Sequence, residues 1–247
     1  MSKEILNSTK LVDNEKKNYT NTLFPEFFKN LQVKKEKRHN DFFNTQWLDG
    51  MELEKKFNMP IISPYCEKIP HVAIPFHEGR ALYNKGVHPN VCLHFYEDDS
   101  YFWNAVHSMS KYLSMLIRFP NVIGPDISMK MDMPYSLKMY VSYLIKLSTR
   151  YMQIHDVKTI PNIVWAGPDC YDFCFAGYPI NSIVAVNSKG IKNNAESVFF
   201  WKKGYEEMMK RLSPKKILRI GEKIKGEDES ISVYYSCDHI NRLRNGR

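Results

Sequence analysis

The stretch that most restricts the fold is Asn121-Val-Ile-Gly-Pro-Asp126-Ile-Ser128, a long helical pattern after it, and then Lys158-Thr-Ile-Pro-Asn-Ile-Val-Trp165-Ala-Gly-Pro-Asp169. Each apolar run breaks at Gly-Pro or Pro and delivers a carboxylate where it stops. Two short strands separated by an amphipathic helix of that length predict a βαβ crossover. Such a crossover sets the ends of parallel strands, with any polar residues there, on one edge.

The same rhythm runs from residue 60 onward. Short β-branched or aromatic runs at 72–76, 91–96, 122–127, 159–165, 183–187, 217–220 and 231–235 end in Gly, Pro or Asp and predict seven strands. Three helices are predicted between them. The first starts near Asp98-Asp-Ser100 and repeats Phe102, Ala105, Val106, Met109, Leu113, Leu116 and Ile117. The second follows Pro134 with Leu137, Tyr140, Val141, Leu144 and Tyr151 on one stripe and Lys138, Ser142, Lys146, Thr149 and Gln153 elsewhere. The third begins after Asn193-Asn194 and stops at Ser213-Pro214. The near-continuous apolar character of the strands suits a mostly parallel sheet covered on both faces. The expected fold class is therefore α/β, an incomplete β/α barrel, with an open doubly wound sheet as the alternative. The absence of a glycine-rich dinucleotide loop after an early strand favours the barrel.

Residues 1–58 are polar and Lys- and Asn-rich but carry the aromatic clusters Phe24-Pro-Glu-Phe-Phe28 and Asp41-Phe-Phe43 with Trp47. They are expected to form a partly helical extension leaning on an α/β domain over 59–247. The formal charge of +8 includes Arg242, Arg244 and Arg247 near the C-terminus and suits either a solvated surface or a polyanionic partner. The segment Lys34-Lys-Glu-Lys-Arg38 contains an acid and reads as a solvated helix face. No apolar run is long enough for a secretory signal or a membrane helix, which points to a cytoplasmic protein. Five cysteines at irregular positions (Cys66, Cys92, Cys170, Cys174, Cys237) suit a reducing compartment. Cys92 reads as core, and Cys170 and Cys174, one helical turn apart, read as buried thiols.

Polar residues at the predicted strand ends are the site candidates: His77-Glu78-Gly79-Arg80, Glu97-Asp98-Asp99, Asp126 with Ser128, Asp169, Asn187-Ser188 and Glu222-Lys223. Asp126, Asp169 and Ser128 are the catalytic candidates, and His77, Glu78, Arg80, Trp165 and Asn187 the binding candidates. Convergent carboxylates there can hold a divalent metal or divide acid and base roles. Competing structural roles are caps at Asp98, Asp99 and Asp169, and an Asx turn from Asp126 to Ser128. His94, in an apolar strand, reads as a satisfied core residue, and His239 lies in a polar tail. Motifs for phosphate loops, dinucleotide loops, zincins, nucleophile elbows and three-cysteine clusters are absent, which argues against the common enzymes that use them.

The segments Val122-Ile-Gly-Pro-Asp126-Ile-Ser128, Asp132-Met-Pro134, Ile160-Pro-Asn162-Ile-Val-Trp165, Phe173-Cys-Phe175-Ala-Gly177 and Ser182-Ile-Val-Ala-Val186 with Gly190 resemble the domain-of-unknown-function family DUF4417. The later helix and Leu212-Ser-Pro214 fit it too, and the resemblance covers roughly residues 70–222. It implies a phage or mobile-element origin and brings no activity with it. The chain departs from the family at Val141 and Leu144, where an Asn and an Arg are usual.

Three functions fit these features. One is a phage protein associated with nucleic acid, with a carboxylate site at the strand ends and Tyr65, Tyr83 and Trp165 as exposed aromatics. Another is a non-catalytic protein that binds a host or phage protein through the aromatic N-terminal segment. The third is a nucleotide or small-molecule binding domain.

Overall fold

The structure, a computed structural model, describes residues 43–69 and 71–235. The Phe24–Phe28 cluster, the Lys34–Arg38 segment, Cys237, His239, Arg242, Arg244 and Arg247 lie outside the described residues. Among the described residues seven strands appear where apolar runs predict them: β1 (Ala73–Pro75), β2 (Cys92–His94), β3 (Asn121–Ile123), β4 (Thr159–Ile160), β5 (Ile183–Asn187), β6 (Lys216–Ile220) and β7 (Ser232–Tyr235). Every ladder is parallel. The first four strands pair in the order β1-β2-β3-β4 and the last three in the order β5-β6-β7. A parallel bridge from Asn162 to Ala185 joins the two ladders. Strand order thus follows chain order, whereas a doubly wound sheet reverses it at a switch point. This is the winding of an incomplete barrel.

The two-residue period of the strands explains the curl. Ala73, Cys92, Ile123, Ile160, Ile183, Ala185, Leu218, Ile220 and Tyr235, drawn from all seven strands, form one buried interior cluster with Tyr65. Tyr65 spans the lower end. Its carbonyl accepts from the backbone of Ile183, and its hydroxyl accepts from Asn121 at the start of β3. Alternate residues face outward: Ile74, Leu93 and Val122 pack under the helices of the first half, and Val184, Val186 and Ile217 under those of the second.

The helices are α1 (Phe76–Asn84), α2 (Trp103–His107), α3 (Leu113–Leu116), α4 (Tyr135–Ile154), α5 (Tyr171–Phe175) and α6 (Ala195–Leu212). Asn194 caps α6, its side chain accepting from Glu196 and Ser197, and the helix ends at Ser213 as the following proline requires. The helix expected from Asp98 is instead broken into short turns at Phe102 and Ser108, whose φ of −127° and −138° leave the helical region. Phe102 is held edge-on to Phe95 with ring centroids 5.3 Å apart, so aromatic packing overrides the helical period.

The second helix matches its predicted position but not its predicted polar face, because Lys138, Ser142, Lys146 and Thr149 are all buried. Lys146 Nζ donates to Ser142 Oγ at 2.6 Å and to the carbonyls of Phe173 and Cys174, closing the C-terminal end of α5. Burial pushes its pKa down to about 8. The N-terminal flank packs on the opposite face of the same helix, with Trp47 stacked on Tyr151 at 4.3 Å. Among the described residues no helix is long and apolar enough to cross a membrane.

One buried charge pair fixes the second half of the barrel. The guanidinium of Arg219 on β6 meets both oxygens of Glu227, Nε at 2.8 Å and Nη2 at 2.7 Å, and donates through Nη1 to the carbonyl of Val186. Both side chains are essentially inaccessible, at 0% and 1% exposure, so removing one strands the other. Glu227→Ala is expected to lower unfolding stability in urea by about 3–5 kcal/mol. The double change to Arg219→Met with Glu227→Leu should recover most of that loss. Equal losses in the single and double variants would show that the pair is not the cause.

Candidate functional site

Parallel winding brings the C-terminal ends of β3, β4 and β5 side by side, and three polar side chains meet there. Asp126 lies three residues beyond β3, Asn162 two beyond β4, and Asn187 closes β5. Asn162 Nδ2 donates to Asp126 Oδ1 at 3.0 Å and Asn187 Nδ2 donates to Asp126 Oδ2 at 2.8 Å. Neither amide can turn over without loss. Tyr96 donates its hydroxyl to Asn162 Oδ1 at 2.8 Å, and the backbone of Lys189 donates to Asn187 Oδ1 at 2.8 Å. The carboxylate therefore faces fixed donors at both oxygens.

Gly124, in the turn from β3 to Asp126, is required by close approach, since a Cβ there would sit 2.6 Å from Thr149 Oγ1. Asp126 keeps part of its surface open to a cleft of about 270 Å³ and is enclosed elsewhere. Trp165 and Trp201 line that cleft together with Ser128 and Lys130. The two indoles are 5.7 Å apart. Trp201 Nε1 donates to the carbonyl of Asn187 at 2.9 Å, and the guanidinium of Arg219 lies 4.7 Å over its ring. Gly204 makes room for Trp165, whose Nε1 would stand 2.0 Å from a Cβ at that position.

Burial pushes the Asp126 carboxyl up to about 6 against the opposing pull of the two amide donors, and the charge of Asp99 adds to the rise. A carboxyl titrating there exchanges a proton near neutral pH, which is the property of an acid or base group.

The other candidates fall out differently. The Asx turn from Asp126 to Ser128 does not form, because Ser128 donates from its backbone and from Oγ (3.1 Å) to Asp99. Asp98, rather than Asp99, caps the following turn, accepting from Ser100 at 2.9 Å. Asp169 neither caps a helix nor joins Asp126. It is exposed within the turn Pro168–Cys170 and bonds Lys138 Nζ at 2.8 Å.

His77 and Glu78 do not end a strand but open α1, with His77 bonded to Glu97. Gly79 lies in the same helix, packed so close to β2 that a Cβ there would fall 2.2 Å from Leu93 Cδ1. Arg80 is exposed on α1 and lines neither of the clefts at the mouth. Of the aromatics expected at the surface, Tyr65 is buried, while Tyr83 and Trp165 are half-buried. His94 is a satisfied core residue, accepting from the backbone of Tyr96 at 3.1 Å, and burial pushes its pKa down to about 3. Cys92, Cys170 and Cys174 are buried and free. Among the described residues no group of three or more His, Cys, Asp or Glu is placed to hold a metal ion.

Sequence reasoning named Asp126 and Asn187 but passed over Asn162 and Tyr96 as site residues. Only the place of Asn162 just past a strand, in register with the other two, could have drawn attention to it.

The profile of a family described as "Domain of unknown function (DUF4417)" matches residues 51–236. The "Gene 1 protein" of Mycobacterium phage L5 is 31% identical over 149 residues, which is 60% of this chain and 63% of that protein. The "Gene 1 protein" of Mycobacterium phage D29 is 30% identical over 129 residues, 52% of this chain and 48% of that protein. The match thus spans less than two thirds of either relative. No solved structure matches the chain.

The raised carboxyl gives a sign to test. A group with its folded pKa above its unfolded value contributes stability that is complete below about pH 4 and is lost as pH rises through about 6. Asp126→Asn lacks this loss, although its NH2 must face one amide donor at every pH. Thermal or urea unfolding should therefore show the variant gaining on the wild type by about 2 kcal/mol between pH 4 and pH 8. A difference that does not change with pH would contradict a desolvated Asp126.

Proposed function

The chain belongs to the family described as Domain of unknown function (DUF4417), and on that premise we propose that it is a nucleic-acid-associated protein of phage type. Its site is the barrel mouth above β3, β4 and β5, with Asp126 the acid or base toward a bound nucleotide. The observation that carries the reading is the Asp126 carboxyl, raised to about 6 and clamped at both oxygens beside a cleft walled by Trp165 and Trp201. Aromatic walls accept the flat face of a nucleobase without regard to its identity. A carboxyl that exchanges its proton near neutral pH can accept from, or donate to, the polar edge of that base.

Each residue has a part in this reading. Asn162 and Asn187 aim the carboxylate, Tyr96 and the backbone of Lys189 hold the amides, and half-buried Trp165, backed by Trp201, offers the stacking face. Ser128 is bound to Asp99 and braces the rim, while Asp169 braces Lys138 away from the reacting group. The net charge of +8 supports a phosphate-bearing partner.

Fluorescence anisotropy with a labelled single-stranded oligonucleotide tests the reading. Binding is expected at low salt, to weaken more than about tenfold between 50 and 200 mM salt, and to change across pH 6 in the wild type. Asp126→Asn should bind with no change across pH 6. No binding to single- or double-stranded DNA or RNA at low salt would overturn the proposal.

A further inference from the structure

Beyond Tyr96 lies a second cleft at the same mouth, about 220 Å³ in volume, lined by His77, Glu78, His94, Glu97, Lys189 and Tyr235 among others. The clamp around Asp126 joins the two clefts. Tyr96 lines the second and bonds Asn162, which holds Asp126 of the first, and Lys189 lines the second while its backbone bonds Asn187 of the first.

Within this cleft the imidazole of His77 is held on several sides. Its Nδ1 bonds Glu97 Oε2, its backbone donates to Glu97 Oε1 at 3.0 Å, and Tyr101 stacks on the ring at 4.8 Å. The Glu97 side chain is only 7% exposed and the His77 side chain 37%, so the carboxylate is fixed behind an accessible ring. In the neutral ring a carboxylate bonded to Nδ1 keeps the proton on that nitrogen and leaves Nε2 as the acceptor. Nε2 lies 3.9 Å from Glu78 Oε1. The other imidazole of the cleft is already engaged, since His94 Nδ1 accepts from the backbone of Tyr96. The charged and titratable groups lining the cleft with His77 are therefore Glu78, Glu97, His94, Lys189 and the hydroxyls of Tyr96 and Tyr235.

We propose that this second cleft is the sugar-phosphate subsite of the mouth: His77 Nε2 accepts a hydrogen bond from a sugar hydroxyl of a phosphorylated nucleoside, and Lys189 meets the phosphate. The inference rests on the nucleotide reading of the Asp126 cleft and adds the residues that take the rest of the molecule. Lys189 is exposed, lines this cleft, and bonds through its backbone to Asn187 of the first, so the sugar and phosphate of a nucleotide whose base rests against Trp165 fall to the imidazole and the ammonium. Glu78 and Glu97 make the cleft unsuited to a bare anion. A ligand offering a hydroxyl donor as well as a phosphate fits that mixed lining.

The full chain labelled with 15N-histidine is titrated with the four ribonucleoside 5′-monophosphates and with the corresponding nucleosides. Tryptophan fluorescence is followed in parallel, and the His77 signal is assigned by its loss in His77→Gln. At a pH where the ring is neutral, the free protein should show His77 with an unprotonated Nε2 and a protonated Nδ1, and Glu97→Gln should mix the two tautomers. A monophosphate should move the Nε2 resonance with the same half-saturation as the fluorescence change. It should bind about tenfold more tightly than its nucleoside, and Lys189→Met should remove that advantage. Saturating fluorescence with a motionless His77 resonance, or a Lys189→Met variant that keeps the phosphate advantage, would overturn this subsite and leave the Asp126 reading standing. No response from either probe would overturn both.

Discussion

Asn162 is where the barrel and the site meet in one residue, its backbone in the junction and its side chain in the clamp. It is fully buried at the junction of the two ladders, where the parallel bridge to Ala185 turns two small sheets into one wound surface. Its Oδ1 accepts from Tyr96, its Nδ2 donates to the carbonyl of Pro125 and to Asp126, and its carbonyl accepts from Tyr178. The side-chain amide satisfies the first three at once because it offers two donors and an acceptor in one plane, and the Tyr178 bond goes to the backbone. Leucine would fill the space and leave the Tyr96 hydroxyl and the Asp126 carboxylate each short of a partner, and an unmade hydrogen bond in a buried site is expensive.

Three of the enclosed charges are managed in three ways, and the contrast separates scaffold from site. Arg219 is neutralised by a two-point contact with Glu227 under the Trp201 ring. Lys146 is solvated by a hydroxyl, two carbonyls and the face of Tyr178, 4.7 Å away. Both arrangements complete the packing around them. Asp126 is held by two neutral amides and opens onto a cleft. Desolvation therefore goes unopposed by a countercharge in contact with it, and the carboxyl moves toward neutral pH.

Much of this was legible in the sequence, for identifiable reasons. The strands were visible because inward and outward positions are both apolar, which makes each a continuous run. Their predicted lengths were too generous at 91–96 and 159–165, because chain such as Asn162-Ile163 keeps an extended course after its ladder has ended. The capped helices were legible from Pro134 and Asn194, whereas α1 was hidden by Gly79. Glycine weakens a helix in isolation, and here contact with Leu93 requires it. The grouping of Asp126 with Asn187 followed from parallel winding alone. Asn162 escaped because it fell inside the run 159–165 predicted as one strand, whereas β4 ends at Ile160 and leaves Asn162 at a strand end. The separation of Asp169 depended on Lys138, whose burial was masked by its place on a face that the helical period marks as polar.

The most direct test of the account is the titration of the Asp126 carboxyl itself, followed by carbon NMR of aspartate-labelled protein and assigned by its absence in Asp126→Asn. The account predicts a midpoint near 6, moving higher in Asn187→Ala, where one of the two donors that favour the ionised form is removed. A midpoint near 4 in the wild type, unmoved by loss of Asn187, would mean that Asp126 is an ordinary solvated carboxylate. The mouth of the barrel would then lack the group on which the functional reading rests.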